Sequence, residues 1–123
     1  MTHNWNENQP IYWQLCERTI ERILEGSLDE ADPLPSVRQV AAELQINPIT
    51  VSKAYQLLVD EGIVEKRRGL GMFVKTGARK QLLLSEREKF RSQIWPDILA
   101  RMQRLDIDPA SLLEPLKKNA TNK

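Results

Sequence analysis

The stretch LPSVRQVAAELQINPITVSKAY, residues 34–55, contains two helix starts in quick succession. Ser36 is followed at the third position by Gln39, which is the spacing of a capping box. Asn47 is a strong N-cap residue, and Pro48 after it suits the first helical position, where a missing N–H group costs nothing. The pattern therefore predicts two helices joined by a tight turn, a helix-turn-helix.

The first helix of this pair is predicted over residues 37–44 and the second over residues 48–62. In the second helix, Val51, Ala54 and Tyr55 fall on one side at the helical period, and that side is expected to face the core. The N-terminal turn is expected to offer free N–H groups to a phosphate. An ordinary solvated helix face is the alternative. The residues on the other faces, which are candidate DNA contacts, are Pro48, Ile49, Thr50, Ser52, Lys53 and Gln56.

The flanking segments complete a small domain. Apolar residues at three- and four-residue spacing predict a helix over residues 10–25, followed by a proline-containing connecting loop over residues 27–35. Two β-prone runs, residues 63–66 and 72–75, are separated by a glycine-containing turn and predict a hairpin. The expected fold class is mostly α with a small β-hairpin: a winged helix-turn-helix domain plus a short two-helix C-terminal segment.

The C-terminal segment carries apolar residues at alternating four- and three-residue steps, which predict a helix with a kink at Pro96. Asp108 and Pro109 start a last short helix. Such wide apolar stripes favour a second copy of the chain as partner. Packing within one chain is the alternative. The candidate dimer contacts are Phe90, Ile94, Trp95, Ile98, Met102 and Leu105.

These elements suggest a division of the chain into four parts. We predict a flexible N-terminus over residues 1–9 and a winged helix-turn-helix over residues 10–76. A helical dimerisation segment over residues 77–117 and a flexible tail over residues 118–123 follow.

Length and composition limit the possible classes of protein. The chain has 123 residues, 41% of them hydrophobic and 28% charged, which suits one soluble compact domain with an appendage. It has no apolar run long enough to span a bilayer and no signal-peptide pattern, so we expect a cytoplasmic protein with no membrane partner.

Few residues suited to metal binding or catalysis are present. The chain contains one cysteine, Cys16, and one histidine, His3, so neither an internal disulfide nor a metal-ligand cluster is expected. Cys16 falls in the apolar pattern of the first helix and is expected to pack in the core. No nucleophile stands near a plausible base and no phosphate-binding loop follows a strand. We therefore expect no enzymatic activity and no cofactor.

The charges are distributed unevenly, although the formal net charge is only +1. Residues 1–34 contain seven acids and two bases, whereas residues 66–80 contain six bases and no acid. A concentrated basic block attracts phosphates. A solvated charged loop is the alternative. The candidate DNA contacts in the predicted hairpin are Lys66, Arg67, Arg68, Gly69 and Gly71.

Arg38 lies in the first turn of the first helix of the pair, where the helix dipole disfavours a cation. A phosphate or a guanine would explain this position, and Ser36 beside it is a further candidate contact. An ion pair of Arg38 with Asp32 or Glu43 is the alternative.

Residues 10–74 together resemble the GntR family of bacterial transcription regulators. The specific features are Leu-Pro-Ser-x-Arg at Leu34–Arg38 and Gly-x-Gly-x-Phe-Val at Gly69–Val74. The Asn-Pro-x-Thr-Val-Ser-x-Ala-Tyr helix and the short C-terminal segment resemble the YtrA-type branch, which implies a dimerising segment. By this resemblance, the residues that match DNA-contacting positions of the family are Arg38, Thr50, Ser52, Arg68 and Gly69.

The chain departs from the family pattern at four positions. Some members carry an arginine in the recognition helix where Pro48 or Ser52 stands here, so a contact made by that arginine has no counterpart. Ala31 and Asp106 stand where the family commonly has glycine.

We interpret the sequence as a sequence-specific DNA-binding transcription regulator. The expected mechanism is repression by a homodimer bound to a palindromic operator in double-stranded DNA. A winged-helix module that binds RNA or another protein is the alternative. The sequence does not indicate the operator, the regulated genes or a small-molecule effector.

Overall fold

A computed structural model describes residues 5–121, so His3 and the outermost parts of both predicted flexible ends lie outside the described residues. Within that range the chain is mostly helical with one antiparallel hairpin, and the predicted fold class is confirmed. The elements in chain order are α1 (Ile11–Glu25), α2 (Val37–Leu44), α3 (Pro48–Asp60), β1 (Val64–Arg67), β2 (Gly71–Val74), α4 (Ala78–Lys89), a π-helical turn (Phe90–Ile94), α5 (Trp95–Arg104) and α6 (Pro109–Thr121).

The chain divides into two compact units between Leu84 and Ser85, later than the predicted boundary at residue 76. The start of α4 explains the difference, because Ala78 and Leu82 are buried in the core of the first unit. The side-chain amide of Gln81 also donates to the backbone oxygen of Glu61, at 2.9 Å, just after α3. The first turns of α4 therefore complete the winged helix-turn-helix.

The core of the first unit is built around α1 and α3. Val51 and Ala54 have no exposed surface and Tyr55 is 3% exposed, which confirms the predicted inner face of α3. The Cys16 thiol donates to the backbone oxygen of Ala54 at 3.2 Å, and burial raises the pKa of this thiol to about 11. Cys16 is thus a core residue, as the sequence pattern predicts.

Local contacts involve the N-terminal end of the described range. The Gln14 side chain accepts from the backbone N–H of Asn6 at 2.7 Å and donates to the backbone oxygens of Asn6 and Gln9. At the other end, helix α6 extends through Thr121. Flexibility of residues 1–9 and 118–123 stays a prediction.

Part of the predicted loop before α2 pairs with the hairpin. The backbone N–H of Ala31 donates to Val74 at 2.9 Å, and that of Leu34 donates to Met72 at 2.8 Å. Pro33 forms an isolated antiparallel bridge with Phe73 and needs no N–H group at this edge position. Residues 31–34 therefore fasten the connection between α1 and α2 to the wing.

Three non-glycine residues of the described range have positive φ: Ala31 at 69°, Gln45 at 55° and Asp106 at 55°. Ala31 and Asp106 are the two positions at which the family that the sequence resembles commonly has glycine. The backbone keeps a left-handed conformation at both, although a Cβ makes it strained.

The C-terminal helix is disturbed at Pro96, where the sequence predicts a kink. The residues before it form a π-helical turn, in which the backbone N–H of Trp95 donates to Phe90. Because proline lacks an N–H group and its ring crowds the carbonyl four residues earlier, the helix cannot continue with ordinary hydrogen bonds. The wider turn accommodates the proline.

Replacing Ala31 with glycine should stabilise the protein, because glycine adopts positive φ without steric strain. We expect Ala31→Gly to raise the free energy of unfolding by about 0.5–1 kcal/mol, measured by urea denaturation. Ala42→Gly is the matched control, because Ala42 is exposed within α2 and glycine there should destabilise by about 1 kcal/mol. Equal losses in the two variants would show that Ala31 is unstrained.

Candidate nucleic-acid interface

The candidate residues of α3 lie on its outer side. Pro48, Ser52, Lys53 and Gln56 are exposed, and Ile49 has 74% of its surface exposed. Thr50 is half-buried. The helix therefore presents short polar and small apolar side chains from its N-terminal half, which is the type of surface that fits a DNA major groove.

The expectation of free N–H groups at the start of α3 is wrong. The N–H of Ile49 donates to the side-chain oxygen of Asn47, and the N–H of Thr50 donates to the backbone oxygen of Asn47, both at 2.9 Å. Pro48 has no N–H group. The residue that caps the helix thus also satisfies its first donors, so any phosphate contact here must come from side chains.

Two long side chains of α3 have partners within the protein. The Lys53 ammonium lies 4.1 Å from the centre of the Tyr12 ring, and the Gln56 amide donates to the Asp60 carboxylate at 2.9 Å. Tyr12, on α1, is thus a neighbour of the interface that sequence reasoning missed. Its place in the apolar stripe of α1 gave no sign that it would meet a lysine of α3.

The N-terminus of α2 offers the donors that α3 lacks. Among the described residues, the backbone N–H groups of Val37 and Arg38 donate to no acceptor. Ser36 accepts from the N–H of Gln39 at 3.1 Å. The Gln39 side chain donates to Glu43 instead of reaching back, so only half of the predicted capping box forms.

Arg38 is exposed and carries its charge at this positive helix end. Among the described residues, Arg38 forms no salt bridge with Asp32 or Glu43, which was the alternative. Arg38 and Ser36 therefore lie at a place where an anion would be stabilised by backbone donors, the helix dipole and a guanidinium together.

The hairpin presents a narrow tip. The N–H of Leu70 donates to the backbone oxygen of Arg67 at 2.9 Å, and Gly69 and Gly71 have φ of 78° and 110°, which favours glycine. Leu70 is 73% exposed at the tip, although sequence reasoning did not select it. The sequence did contain a signal for Leu70. A leucine between two glycines at a hairpin turn is suited to close approach to a minor groove.

The basic residues of the hairpin differ in their availability. The Arg67 guanidinium donates to the Glu65 carboxylate at 2.9 Å and lies 4.2 Å from the centre of the Phe73 ring. Lys66 and Arg68 are exposed and form no such contacts within the described residues. Arg68 is therefore better placed than Arg67 to bind a phosphate.

Arg79, in the basic block beyond the hairpin, has a structural role. Its guanidinium donates to the backbone oxygen of Leu24 in the last turn of α1, at 3.3 Å. A cation is favourable at a helix C-terminus. The charge density of residues 66–80 thus overstates the number of cations available to a ligand.

The candidate dimer residues are mostly accessible in a single chain. Phe90, Ile94, Trp95 and Leu105 are exposed and Ile98 is half-buried. Met102 is only 6% exposed, so it is already covered within the chain. Further exposed apolar residues, which the sequence prediction did not include as contacts, are Leu112, Leu113 and Leu116 of α6.

Other kinds of site find no support in the part of the chain that the structure describes. No group of His, Cys, Asp and Glu side chains there is arranged to hold a metal ion. No helix among those residues has both the length and the apolar character needed to cross a membrane.

Comparison with known proteins agrees with this geometry. The profile of the family described as "Bacterial regulatory proteins, gntR family" matches residues 11–74. The HTH-type transcriptional regulator YhcF of Bacillus subtilis is 30% identical over 118 residues, which cover 95% of this chain and 95% of YhcF. The HTH-type transcriptional repressor YtrA of B. subtilis is 39% identical over 69% of this chain and 65% of its own length.

Solved structures share the same fold. A GntR family transcriptional regulator from Listeria monocytogenes superimposes with a TM-score of 0.73 at 26% identity, covering 93% of this chain and 98% of its own. The likeness extends over both the hairpin-containing unit and the C-terminal helices.

The contributions of Arg38 at the start of α2 and of the hairpin arginines, Arg67 and Arg68, can be compared through the salt dependence of binding to random duplex DNA. Each phosphate contact contributes about 0.9 to the slope of log K against log salt concentration. We expect Arg38→Gln and Arg68→Gln each to reduce the slope by about 1. Arg67→Gln should change it less, because Glu65 and Phe73 already hold that guanidinium. A larger effect of Arg67 than of Arg68 would contradict this assignment.

Proposed function

This chain belongs to the GntR family of bacterial regulatory proteins, and we propose that it is a cytoplasmic repressor that binds a palindromic operator as a homodimer. As a family member it is a DNA-binding transcription regulator of the helix-turn-helix type. The observation that carries the proposal is the common exposure of the N-terminal half of α3, the start of α2 and the hairpin tip in one compact unit.

Helix α3 is the element that would read base sequence. Ile49 extends into solvent and suits contact with a thymine methyl group. Thr50 and Ser52 have hydroxyl groups for phosphates. Lys53 and Gln56 reach a base edge or the backbone only by leaving Tyr12 and Asp60, so their contacts require side-chain rearrangement.

The other two elements would hold the duplex in register. Ser36 and Arg38 bind one phosphate at the start of α2, and Lys66 and Arg68 bind phosphates beside the wing. Gly69 and Gly71 allow the wing backbone to approach a minor groove. These contacts supply affinity without sequence information, and α3 supplies the discrimination.

Two copies related by a two-fold axis would place two α3 helices in successive major grooves, about 34 Å apart. The exposed apolar residues of the C-terminal unit support its use as the dimer interface. Such a dimer represses by covering promoter DNA, which needs no catalytic group. The relative named as a repressor, YtrA, supports this sign of regulation.

The reading role of α3 can be tested with duplexes selected from a random pool by the intact protein. We expect Ile49→Ala to weaken binding to the selected duplex about fivefold, since one lost base contact costs ~1 kcal/mol. Binding to random duplex should stay within about twofold, because that affinity comes from phosphates. Fluorescence anisotropy at fixed salt measures both.

Leu84→Ala is the matched control for this test, because Leu84 is 61% exposed and belongs to α4, not to α3. It should leave both affinities unchanged. Equal weakening of selected and random duplex by Ile49→Ala would remove α3 from sequence reading. Failure to select any duplex, with tight binding to RNA, would favour the alternative winged-helix module.

The dimer interface can be tested by adding charge to the exposed apolar residues of the π turn. We expect Phe90→Glu with Ile94→Glu to give a monomer in sedimentation at micromolar concentration, because two carboxylates cannot be buried unpaired. Affinity for a two-half-site duplex should fall more than tenfold, since both half-sites are no longer bound together.

Gln93→Glu is the control in the same turn, where an exposed polar residue gains a similar charge. This variant should remain dimeric. A double variant that stays dimeric would place the interface elsewhere, and a monomeric native protein would overturn the dimer altogether.

A further inference from the structure

A cleft in the first unit has no part in the interface described above. It has a volume of about 200 Å³ and lies between α1, α2, the segment before α2 and Tyr55 of α3. Its walls are largely apolar and are formed by Leu15, Leu28, Leu34, Val40 and Leu44. An apolar cavity of ~150 Å³ holds one benzene ring, so this cleft has room for a ring with a short polar substituent.

The two hydroxyl groups that line the cleft already donate hydrogen bonds within the protein. Thr19 donates to the backbone oxygen of Leu15 at 2.9 Å, and Tyr55 donates to the backbone oxygen of Pro35 at 2.7 Å. Neither hydroxyl can donate to a ligand without losing that bond.

Two guanidinium groups remain as side-chain donors of the cleft. Arg18 and Arg22 stand one helical turn apart on α1, and neither forms a salt bridge within the described residues. Like charges at this spacing destabilise a helix slightly, so an anion between them would be favourable. Arg18 stacks on Trp5 at 4.2 Å, which leaves the N–H groups at the guanidinium edge directed outward in its plane.

Arg22 and Tyr55 line the same cleft. Burial raises the pKa of Tyr55 to about 12, and the positive charge of Arg22 opposes that increase. Glu43, on the α2 wall, accepts from Gln39 at 3.4 Å. Its negative charge would turn an anionic ligand group away from α2 and toward α1.

We propose that this cleft binds a small organic carboxylate with a single aromatic ring or a compact branched chain. The apolar body lies against Leu15, Leu34 and Val40, and the carboxylate is bound by Arg18 and Arg22. Arginine suits this role because its planar donors match the two carboxylate oxygens.

Such a ligand would also affect DNA binding, a consequence that rests on the proposed function. The cleft is bounded by α2 and by Pro35, whose backbone oxygen holds Tyr55 of α3. A ligand in the cleft would contact both α2, which carries Arg38, and Tyr55 of α3, and so would favour one position of α2 relative to α3 over others. Occupancy should therefore weaken binding to the selected duplex.

Binding is tested first without DNA, on the full chain, by isothermal titration with 3-phenylpropanoate. We expect a dissociation constant below about 1 mM, as ligands of this size allow. The neutral analogue 3-phenylpropan-1-ol should bind at least about tenfold more weakly, because it offers no charge to the arginines. No heat of binding at 10 mM ligand, or equal binding of the alcohol, would overturn the site.

Arg22→Gln locates the ligand, because the Arg22 side chain makes no hydrogen bond or salt bridge among the described residues and its loss should not unfold the protein. We expect at least about tenfold weaker binding of 3-phenylpropanoate, with an unchanged circular dichroism spectrum. Arg87→Gln, an exposed arginine outside the cleft, is the matched control and should bind normally. Equal binding by native and Arg22→Gln proteins would place the ligand elsewhere.

The effect on DNA is measured separately, with sodium chloride at equal ionic strength as the reference. Saturating 3-phenylpropanoate should weaken binding of the native protein to its selected duplex at least threefold and leave Arg22→Gln unaffected. A ligand that binds with the expected dependence on Arg22 but leaves DNA affinity unchanged would overturn the regulatory role alone. A protein that binds the ligand but selects no duplex would overturn the proposed function while the site stands.

Discussion

The close packing of α3 on α1 is the constraint from which the rest of the first unit follows. Ala54 lies where the two helices meet and has no exposed surface. Its backbone oxygen accepts a hydrogen bond from the Cys16 thiol. A side chain as small as alanine allows the two helix backbones to approach closely. Once Val51, Ala54 and Tyr55 are fixed inward, the rotation of α3 is set and Ile49, Ser52 and Lys53 must face outward. The reading surface is therefore a consequence of the core.

A single segment then positions the other two elements around α3. Residues 31–34 pair with β2, and the backbone oxygen of the next residue, Pro35, accepts a hydrogen bond from the Tyr55 hydroxyl. The start of α2 and the hairpin are thus both connected to the same few residues, and through Tyr55 to α3. This arrangement explains how a small unit with a net charge close to zero can present three separate contacts in one fixed geometry. The cleft beside α2 is lined by Leu34 and Pro35 of this segment and by Tyr55 of α3.

Local signals in the sequence were sufficient for much of this structure. The caps at Ser36 and Asn47 predicted the bounds of α2 and the start of α3, because capping depends on residues only a few positions apart. The pairing of residues 31–34 with β2, the contact of Lys53 with Tyr12 and the burial of Leu82 could not be predicted. Each joins residues far apart in the chain, and periodicity carries no information about such partners. The free N–H groups expected at α3 were an error of another kind, since the cap that starts the helix also uses its first donors.

The buried thiol has a practical consequence. Cys16 is the only cysteine of the chain, it is 5% exposed, and with a pKa of about 11 it remains protonated at neutral pH. Thiolate is the reactive form, so oxidants and maleimides should react with it slowly. A second cysteine introduced at an exposed position could thus be labelled selectively while Cys16 stays in place. The native core therefore permits fluorescence or spin-label studies of the wing without removal of its own thiol.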